Sequence, residues 1–244
     1  MPSSEVFNED CMKVMARYPD KYFDLAVVDP PYGGANTDEE SSGIVGGHAD
    51  LEKKQRSRFG ARFDKYKIEA SPITAARTGG KWAQKFGKDI NHWDIAPRKE
   101  YFDELARVSK NQIIWGGNYF DLPPTRCFLV WDKMNIPENF TMAMAEYAWT
   151  SFNDNAKIIR IAPQGKLGFR FHPTQKPVEL YSWIYSKYAK PGFKILDTHL
   201  GSGSNRIAAY DAGLDFVGCE VCKEYFDESV KWFENHAAQI TFFD

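Results

Sequence analysis

The stretch KILDTHLGSGS, residues 194 to 204, decides the fold of this 244-residue chain. It begins as an apolar strand that delivers Asp197 to its carboxyl end, and a turn with two glycines then leads into a helix. Gly201 and Gly203 carry no Cβ atom, so the backbone of the turn can pass close to a bound molecule. The helix has apolar residues where the dinucleotide fingerprint needs a third glycine. The segment therefore predicts the nucleotide-binding half of an α/β domain, without a requirement for pyrophosphate.

The next strand also ends in an acid. The run FVGCEV, residues 216 to 221, reads as a buried strand and places Glu220 23 residues after Asp197, the distance at which a carboxylate meets ribose hydroxyls. Asp10, after a short N-terminal strand, adds a third carboxylate if these strands are neighbours. Three acids in one crevice suit a ligand that is cationic or rich in N–H and O–H donors, and S-adenosylmethionine matches. A plain strand, turn and helix with a solvated glutamate is the alternative.

Another strand ends in an unusual tetrapeptide. The apolar run from Leu25 to Val28 reads as a strand buried on both faces, and it is followed by Asp29, Pro30, Pro31 and Tyr32. An exocyclic amine of a nucleobase becomes a good nucleophile when it is pyramidal, and acceptors on its two N–H groups favour this geometry. The Asp29 carboxylate and the Pro30 carbonyl are two such acceptors, and Tyr32 offers a ring on which an extruded base stacks. The pattern predicts methyl transfer to a base amine, and a simple turn with a capping aspartate is the alternative.

Strands and helices alternate over most of the chain, which predicts an α/β domain with a mostly parallel sheet in residues 1 to 32 and 99 to 244. Residues 33 to 98 interrupt the alternation as an insertion. Residues 51 to 99 hold 13 lysines and arginines against 5 acids, a net charge of +8, whereas the rest of the chain holds 18 against 28, a net charge of −10. We expect this basic stretch to contact a polyanion, and a solvated surface loop is the alternative.

The composition is that of an ordinary globular protein, with 43% hydrophobic and 26% charged residues. The sequence has no long apolar span or signal-like N-terminus, so we expect a cytoplasmic protein without a membrane segment. The four cysteines, Cys11, Cys127, Cys219 and Cys222, are too few and too scattered for a disulfide scaffold. Cys219 and Cys222 have no second pair that would complete a zinc site, so we predict buried, inert thiols and no bound metal.

Taken together, these segments resemble the permuted beta group of the S-adenosylmethionine-dependent amino methyltransferases of DNA, in which the catalytic half precedes the cofactor-binding half. The resemblance covers most of the chain outside residues 33 to 98. It is carried by NEDC at 8 to 11, DPPY at 29 to 32, HPTQKP at 172 to 177, LDTHLGSGS at 196 to 204 and GCEVCKEY at 218 to 225. Three residues differ from the family pattern: Thr198 and His199 replace a Pro-Phe pair, and Asn205 replaces a common threonine.

The resemblance implies a circularly permuted, Rossmann-like methyltransferase sheet of seven strands, mostly parallel with one reversed strand, and with helices on both faces. The strands that end in Asp29 and Asp197 would lie side by side at its centre, so that the base site opposes the methyl donor. The catalytic residues that the resemblance implies are Asp29, Pro30, Pro31 and Tyr32. The cofactor-binding residues that it implies are Asp10, Cys11, His172, Thr174, Gln175, Lys176, Asp197, His199, Gly201, Ser202, Gly203 and Glu220.

Family members usually carry a recognisable target-recognition segment before the HPTQKP motif. Here only about two dozen residues separate Tyr147 from His172. The basic insertion at 33 to 98 is therefore the candidate for DNA contact and target recognition. Its residues expected on phosphates are Lys53, Lys54, Arg56, Arg58 and Arg62.

The function that the resemblance implies is site-specific methylation of the N6 amine of a flipped adenine in DNA. Asp29 heads the tetrapeptide as in the adenine-directed members, whereas cytosine-N4 enzymes more often show serine. An N4-cytosine DNA methyltransferase, an RNA methyltransferase and a catalytically silent nucleic-acid-binding module are the alternatives. DNA is the expected partner, a homodimer is possible because resembling enzymes dimerise, and a restriction-modification role is one of several that stay open.

Overall fold

The computed structural model describes residues 2–32, 95–138, 143–166 and 170–240. The chain divides into two compact units, one of Met1–Pro30, Pro97–Glu138 and Ala143–Asp244, the other of Pro31–Ala96 and Asn139–Met142. Of the second unit, the structure describes Pro31, Tyr32, Ile95 and Ala96. The five basic residues predicted on phosphates lie outside the described residues, so the role of the insertion and its boundaries at 33 and 98 stay predictions.

The described part of the first unit forms one sheet of eight strands. In chain order these are β1 (Ser4–Phe7), β2 (Phe23–Val28), β3 (Ser109–Trp115), β4 (Phe128–Asp132), β5 (Ala145–Thr150), β6 (Lys157–Arg160), β7 (Lys194–Asp197) and β8 (Asp215–Cys219). Across the sheet the order is β1-β8-β7-β2-β3-β5-β4-β6. β5 runs antiparallel to β3 and β4, and the other pairs are parallel.

The predicted α/β class, with a mostly parallel sheet and one reversed strand, is therefore confirmed. The sheet has one strand more than the seven that the family resemblance implies. The additional strand, β6, pairs with β4 at the edge of the sheet, where Leu129 lies opposite Lys157. β6 has only four residues, and Ile158 is 59% exposed while Ile159 is buried. So short an apolar signal does not identify a strand by periodicity.

Five helices accompany the sheet in the described ranges: α1 (Cys11–Met15), α2 (Lys99–Val108), α3 (Val178–Tyr188), α4 (Ser204–Asp211) and α5 (Lys223–Ile240). The alternation of strands and helices that the sequence predicts is present in these ranges. Asp10 precedes α1 as its N-cap, because its carboxylate accepts hydrogen bonds from the first amides of the helix. Among the described helices, none is long and apolar enough to cross a membrane.

The central strand β2 shows how both faces of the sheet are covered. Leu25 and Val27 join a core that includes side chains of α3 and α4. Ala26 and Val28 alternate with them and join a second core with α1 and α2. All four side chains are buried, as a strand between two helical layers requires. The predicted helices on both faces are confirmed.

The carboxyl ends of four adjacent parallel strands lie along one edge of the sheet. From the outside inwards the strands are β1, β8, β7 and β2, and β7 pairs with β2 through Leu25 opposite Ile195 and Ala26 opposite Leu196. This confirms that the strands ending in Asp29 and Asp197 are neighbours. Beyond β3, the reversed β5 begins at the same edge where β4 ends, with Ala145 opposite Asp132.

Candidate active site

Four acids follow the edge of the sheet in strand order. Asp10 lies after β1, Glu220 after β8, Asp197 ends β7 and Asp29 follows β2. The structure therefore brings together the three carboxylates predicted for the cofactor and the one predicted for catalysis. This convergence results from the topology, because each acid comes directly after a parallel strand and these ends meet in the crevice where α/β sheets bind ligands.

Asp197 is the most deeply buried of these acids, with 2% of its surface exposed. Its Oδ1 accepts the backbone N–H of His199 at 3.1 Å, and its Oδ2 accepts the side-chain amide of Asn205 at 2.9 Å. Burial, together with the nearby charges of Asp29 and Glu220, raises the pKa of Asp197 to about 7 against the effect of these hydrogen bonds. A cationic ligand would stabilise the ionised carboxylate, so the site fits the positively charged S-adenosylmethionine.

Asn205, in the first turn of α4, holds Asp197 in place. Its side-chain nitrogen donates to Asp197 and, at 2.9 Å, to the Val27 carbonyl of β2. Its oxygen accepts the hydroxyl of Tyr185 from α3. One buried amide thus connects the two central strands with two helices. Sequence analysis noted Asn205 only as a departure from the family pattern and did not assign it this role.

Replacing Asn205 with alanine is expected to lower the free energy of unfolding by about 2 to 4 kcal/mol, because three buried polar groups lose their partner. Chemical denaturation measures the change. Asn153→Ala is the matched control, since Asn153 is exposed and its replacement should stay within about 0.5 kcal/mol of the wild type. A loss below about 1 kcal/mol for Asn205→Ala would contradict the bridging role.

The glycine turn is fixed by Glu220. The Glu220 carboxylate accepts the backbone N–H of Gly201 at 2.9 Å and that of Cys222 at 2.9 Å. Burial raises the pKa of Glu220 in spite of these bonds. Gly201 and Gly203 have φ angles of +51° and +81°, the left-handed region in which a side chain is strained. Both glycines are therefore needed for the shape of the turn, while the close approach of a bound molecule to them stays a prediction.

The HPTQKP segment packs on this turn through His172. A Cβ atom on Gly201 would lie 3.5 Å from the His172 ring, which also meets the Tyr225 ring edge-on at a centroid distance of 4.2 Å. The Thr174 backbone N–H lies 3.3 Å from His172 Nδ1, and the Gln175 Oε1 atom accepts the backbone N–H of Phe171 at 3.2 Å. His172, Thr174 and Gln175 thus shape a segment beside the glycine turn, and their cofactor contacts stay predictions.

The two residues that depart from the family loop form a hydrogen-bonded chain. The Thr198 hydroxyl lies 2.6 Å from the hydroxyl of Tyr101, on α2, and 3.0 Å from His199 Nδ1. Burial lowers the pKa of His199 to about 4, so its ring is neutral at pH 7. Thr198 therefore anchors the start of the loop to α2 by a hydrogen bond, and the His199 ring meets that of Tyr101 edge-on at a centroid distance of 5.4 Å.

The N-terminal part of the site consists of Asp10 and Cys11. The Asp10 Oδ1 atom accepts the Met12 amide at 3.0 Å, while burial and the neighbouring Asp10 raise the pKa of Cys11 to about 12. The Cys11 thiol is therefore protonated at pH 7, which agrees with an inert cysteine. All four cysteines are free; Cys219 is buried as predicted, whereas Cys222 is only half-buried.

Asp29 belongs to a cluster of alternating charges. Its Oδ2 atom pairs with the Lys176 ammonium, which lies 3.1 Å from the Glu146 Oε2 atom. The Glu146 Oε1 atom lies 2.6 Å from the ammonium of Lys133. Lys176 thus contacts the predicted catalytic acid, while its predicted contact with the cofactor is untested. Glu146 and Lys133 were not identified from the sequence, since they join the partner of Asp29, Lys176, only once β4 pairs with β5.

The remaining predicted site residues divide between the two units. Pro30 is buried in the first unit, directly after Asp29. Ser202 is buried in the glycine turn, where its hydroxyl lies 2.9 Å from that of Ser204. Pro31 and Tyr32 belong to the second unit, and both are half-buried. Their roles in catalysis stay predictions.

Comparison with known proteins agrees with this fold. The family model described as "DNA methylase" matches residues 81–231. M2.DpnII, a type II methyltransferase of Streptococcus pneumoniae, is 23% identical over 89% of this chain and 85% of its own length. The predicted methylase YubD of Escherichia coli (strain K12) is 36% identical over 58 residues, which are 24% of this chain and 26% of that protein.

Two solved structures share the fold at low sequence identity. The M1.HpyAVI–SAM complex has 17% identity and a TM-score of 0.50, covering 95% of this chain and 98% of the other. PvuII DNA methyltransferase, described as cytosine-N4-specific, has 11% identity and a TM-score of 0.56, covering 94% of this chain and 86% of the other. Because the family model covers more than half of the sequence, this chain belongs to the DNA methylase family, the S-adenosylmethionine-dependent N6/N4 methyltransferases of DNA.

Proposed function

We propose that this protein transfers a methyl group from S-adenosylmethionine to the N6 amine of a flipped adenine in DNA. The observation that carries the proposal is the adjacency of β2 and β7, whose ends present Asp29 and the buried Asp197. Asp29 suits the amine of the base, and Asp197 suits the cationic cofactor. A homodimer and a cytoplasmic location stay predictions from the sequence.

The acids at the ends of β7 and β8 are the residues that would hold the cofactor. When bound, S-adenosylmethionine supplies an activated methyl group on a positively charged sulfur. Asp197 and Glu220 are carboxylates whose burial raises their pKa, so each would gain from a ligand that offers a positive charge or N–H and O–H donors. Glu220 already positions the Gly201 amide, so the same carboxylate would connect the glycine turn to the ribose.

The catalytic half would work by accepting hydrogen bonds. The Asp29 carboxylate and the Pro30 carbonyl would take the two N–H groups of the amine and favour a pyramidal nitrogen. After methylation the nitrogen is acidic, and its proton leaves to water or to Asp29. In the proposal, Tyr32 follows in the chain as the ring on which the extruded base stacks. The choice of adenine rests on the aspartate at the head of the tetrapeptide.

Incubation with labelled S-adenosylmethionine and unmethylated, enzymatically amplified genomic DNA tests the proposal directly. Total RNA serves as the second substrate, and the nucleosides are separated after digestion. We expect the label in N6-methyladenine from DNA. Label in N4-methylcytosine, or in RNA alone, would refute the adenine assignment, and a folded protein that labels neither nucleic acid would point to a silent binding module.

Exchange of Lys53, Lys54, Arg56 and Arg58 for glutamate is expected to weaken binding to DNA. If all four contact phosphates, the slope of log affinity against log salt concentration should decrease in magnitude by about 3 to 4. Titration of fluorescent duplex DNA at several salt concentrations measures the slope. The control is the same exchange at four lysines of the first unit, Lys187, Lys190, Lys223 and Lys231. An unchanged slope for the first variant would exclude these residues from the interface.

A further inference from the structure

The ion cluster around Asp29 is more buried than surface ion pairs usually are. The side chains of Lys176 and Lys133 are 3% and 6% exposed, and those of Asp29 and Glu146 are 16% and 22% exposed. Two positive and two negative groups alternate along the row Lys133, Glu146, Lys176 and Asp29. The cluster is therefore neutral as a whole, which is the condition under which buried charges persist.

The three residues that join Asp29 in this cluster come from separate parts of the fold. Lys133 follows the end of β4, and Glu146 lies near the start of the antiparallel β5, opposite Trp131. Lys176 comes from the segment before α3 and lies 5.5 Å from the ring centre of Trp115 on β3. These elements bring the cations to the Asp29 side of the edge, while Asp197 and Glu220 remain on the side proposed for the cationic cofactor.

A lysine beside Asp29 has two opposite effects on the proposed reaction. Its ammonium fixes one carboxylate oxygen, so that the acceptor keeps one orientation. The same positive charge opposes the positive charge that develops on the amine during methylation. Glu146 reduces this second effect, because its negative charge lies on the other side of the ammonium at 3.1 Å.

We infer that Lys176 and Glu146 are positioning residues for Asp29, an inference that rests on the proposed function. Lys176 orients the Asp29 carboxylate, and Glu146 holds the lysine and offsets its charge. Lys133 in turn compensates the charge of Glu146. Lys176 therefore acts on the acceptor of the amine, and its loss changes the methyl transfer step more than cofactor affinity.

Single-turnover methyl transfer at saturating cofactor tests the role of Glu146. The probe is amplified, unmethylated genomic DNA with labelled S-adenosylmethionine. Glu146→Gln is expected to lower the rate at least about tenfold, since the charge of Lys176 is no longer offset, and to leave the Kd of the cofactor within about twofold. A wild-type rate in this variant would overturn the inference.

Lys176→Met adds a measurement that distinguishes a positioning role of Lys176 from a purely structural one. Without the ammonium the Asp29 carboxylate loses the contact that orients it, so the rate at saturating cofactor should fall while the Kd of the cofactor stays within about twofold. Lys176→Arg keeps the charge and should restore part of the rate. Glu146→Gln should have little further effect in the Lys176→Met background, because no charge remains to be offset. A wild-type rate at saturating cofactor together with an increased cofactor Kd would instead assign Lys176 to the cofactor.

The controls separate this inference from the proposed function. Lys157→Met removes a lysine that pairs with Asp154 on the surface, and it should keep the wild-type rate. Thermal melting shows whether each variant folds; if Lys176→Met does not fold, the rate of Glu146→Gln decides alone. Methylation by Asp29→Ala at the wild-type rate would refute the proposed function. An inactive Asp29→Ala together with unaffected Lys176 and Glu146 variants would refute the positioning role alone.

Discussion

Asp29→Ala is expected to lower the rate of methyl transfer by about 100- to 1,000-fold or more. The carboxylate at the end of β2 is the proposed acceptor of one N–H of the target amine, and alanine cannot replace it. Affinity for S-adenosylmethionine should stay within about twofold, because the residues proposed to hold the cofactor follow β1, β7 and β8. Single-turnover labelling of DNA measures the rate, and isothermal titration measures the affinity.

Asp154→Ala is the matched control for this variant. Asp154 also pairs with a lysine, Lys157, but it lies at the surface and away from the edge that carries the acids. The control should methylate at the wild-type rate. Methyl transfer by Asp29→Ala within about tenfold of the wild type would show that the reaction does not depend on this acceptor.

Asp197→Asn is expected to weaken the binding of S-adenosylmethionine by about 10- to 100-fold at pH 8, the effect of losing a charged hydrogen-bond acceptor. In the wild type, affinity should be constant above about pH 8 and should decrease as the pH falls through 7. The reason is that burial raises the pKa of Asp197 to about 7, and the protonated carboxyl cannot pair with a cation. Titration calorimetry from pH 5.5 to 8.5 measures both effects.

The same carboxyl links folding stability to pH in the protein without cofactor. Its pKa is about 7 when folded and rises from an ordinary value of 3.8, so the folded state holds its proton more tightly than the unfolded state. The stabilisation is complete below about pH 4 and is lost as the pH rises to about 7. Asp197→Asn should remove this part of the pH dependence, whereas Asp227→Asn, at an exposed ion pair, should retain it. Equal pH dependence in both variants would contradict a buried, proton-binding Asp197.

Much of the fold follows from short segments of the sequence. Apolar runs that end in Asp29, Asp197 and Glu220 predict strands. The two glycines that follow Asp197 predict a turn before a helix. These signals are local, because each strand and its acid lie within a few residues of each other. The adjacency of β2 and β7 required the family resemblance, since no local pattern sets the order of strands in a sheet.

The parts that sequence analysis missed depend on long-range packing. Lys176 and Asp29 are 147 positions apart in the chain, and Glu146 reaches them only because β5 is reversed. Asn205 contacts Val27 across 178 positions. A single sequence does not contain the register of strand pairs or the direction of buried side chains. Charged residues such as Lys133 therefore read as surface residues until the sheet is assembled.

A crystal structure with S-adenosylmethionine and an adenine-containing oligonucleotide tests the central claim most directly. The decisive measurement is the distance from the Asp29 carboxylate to the methyl carbon of the cofactor. We expect about 5 to 6 Å, which leaves room for one amine that donates to Asp29 and faces the methyl group. A distance above about 10 Å, or a methyl group that points away from Asp29, would contradict it.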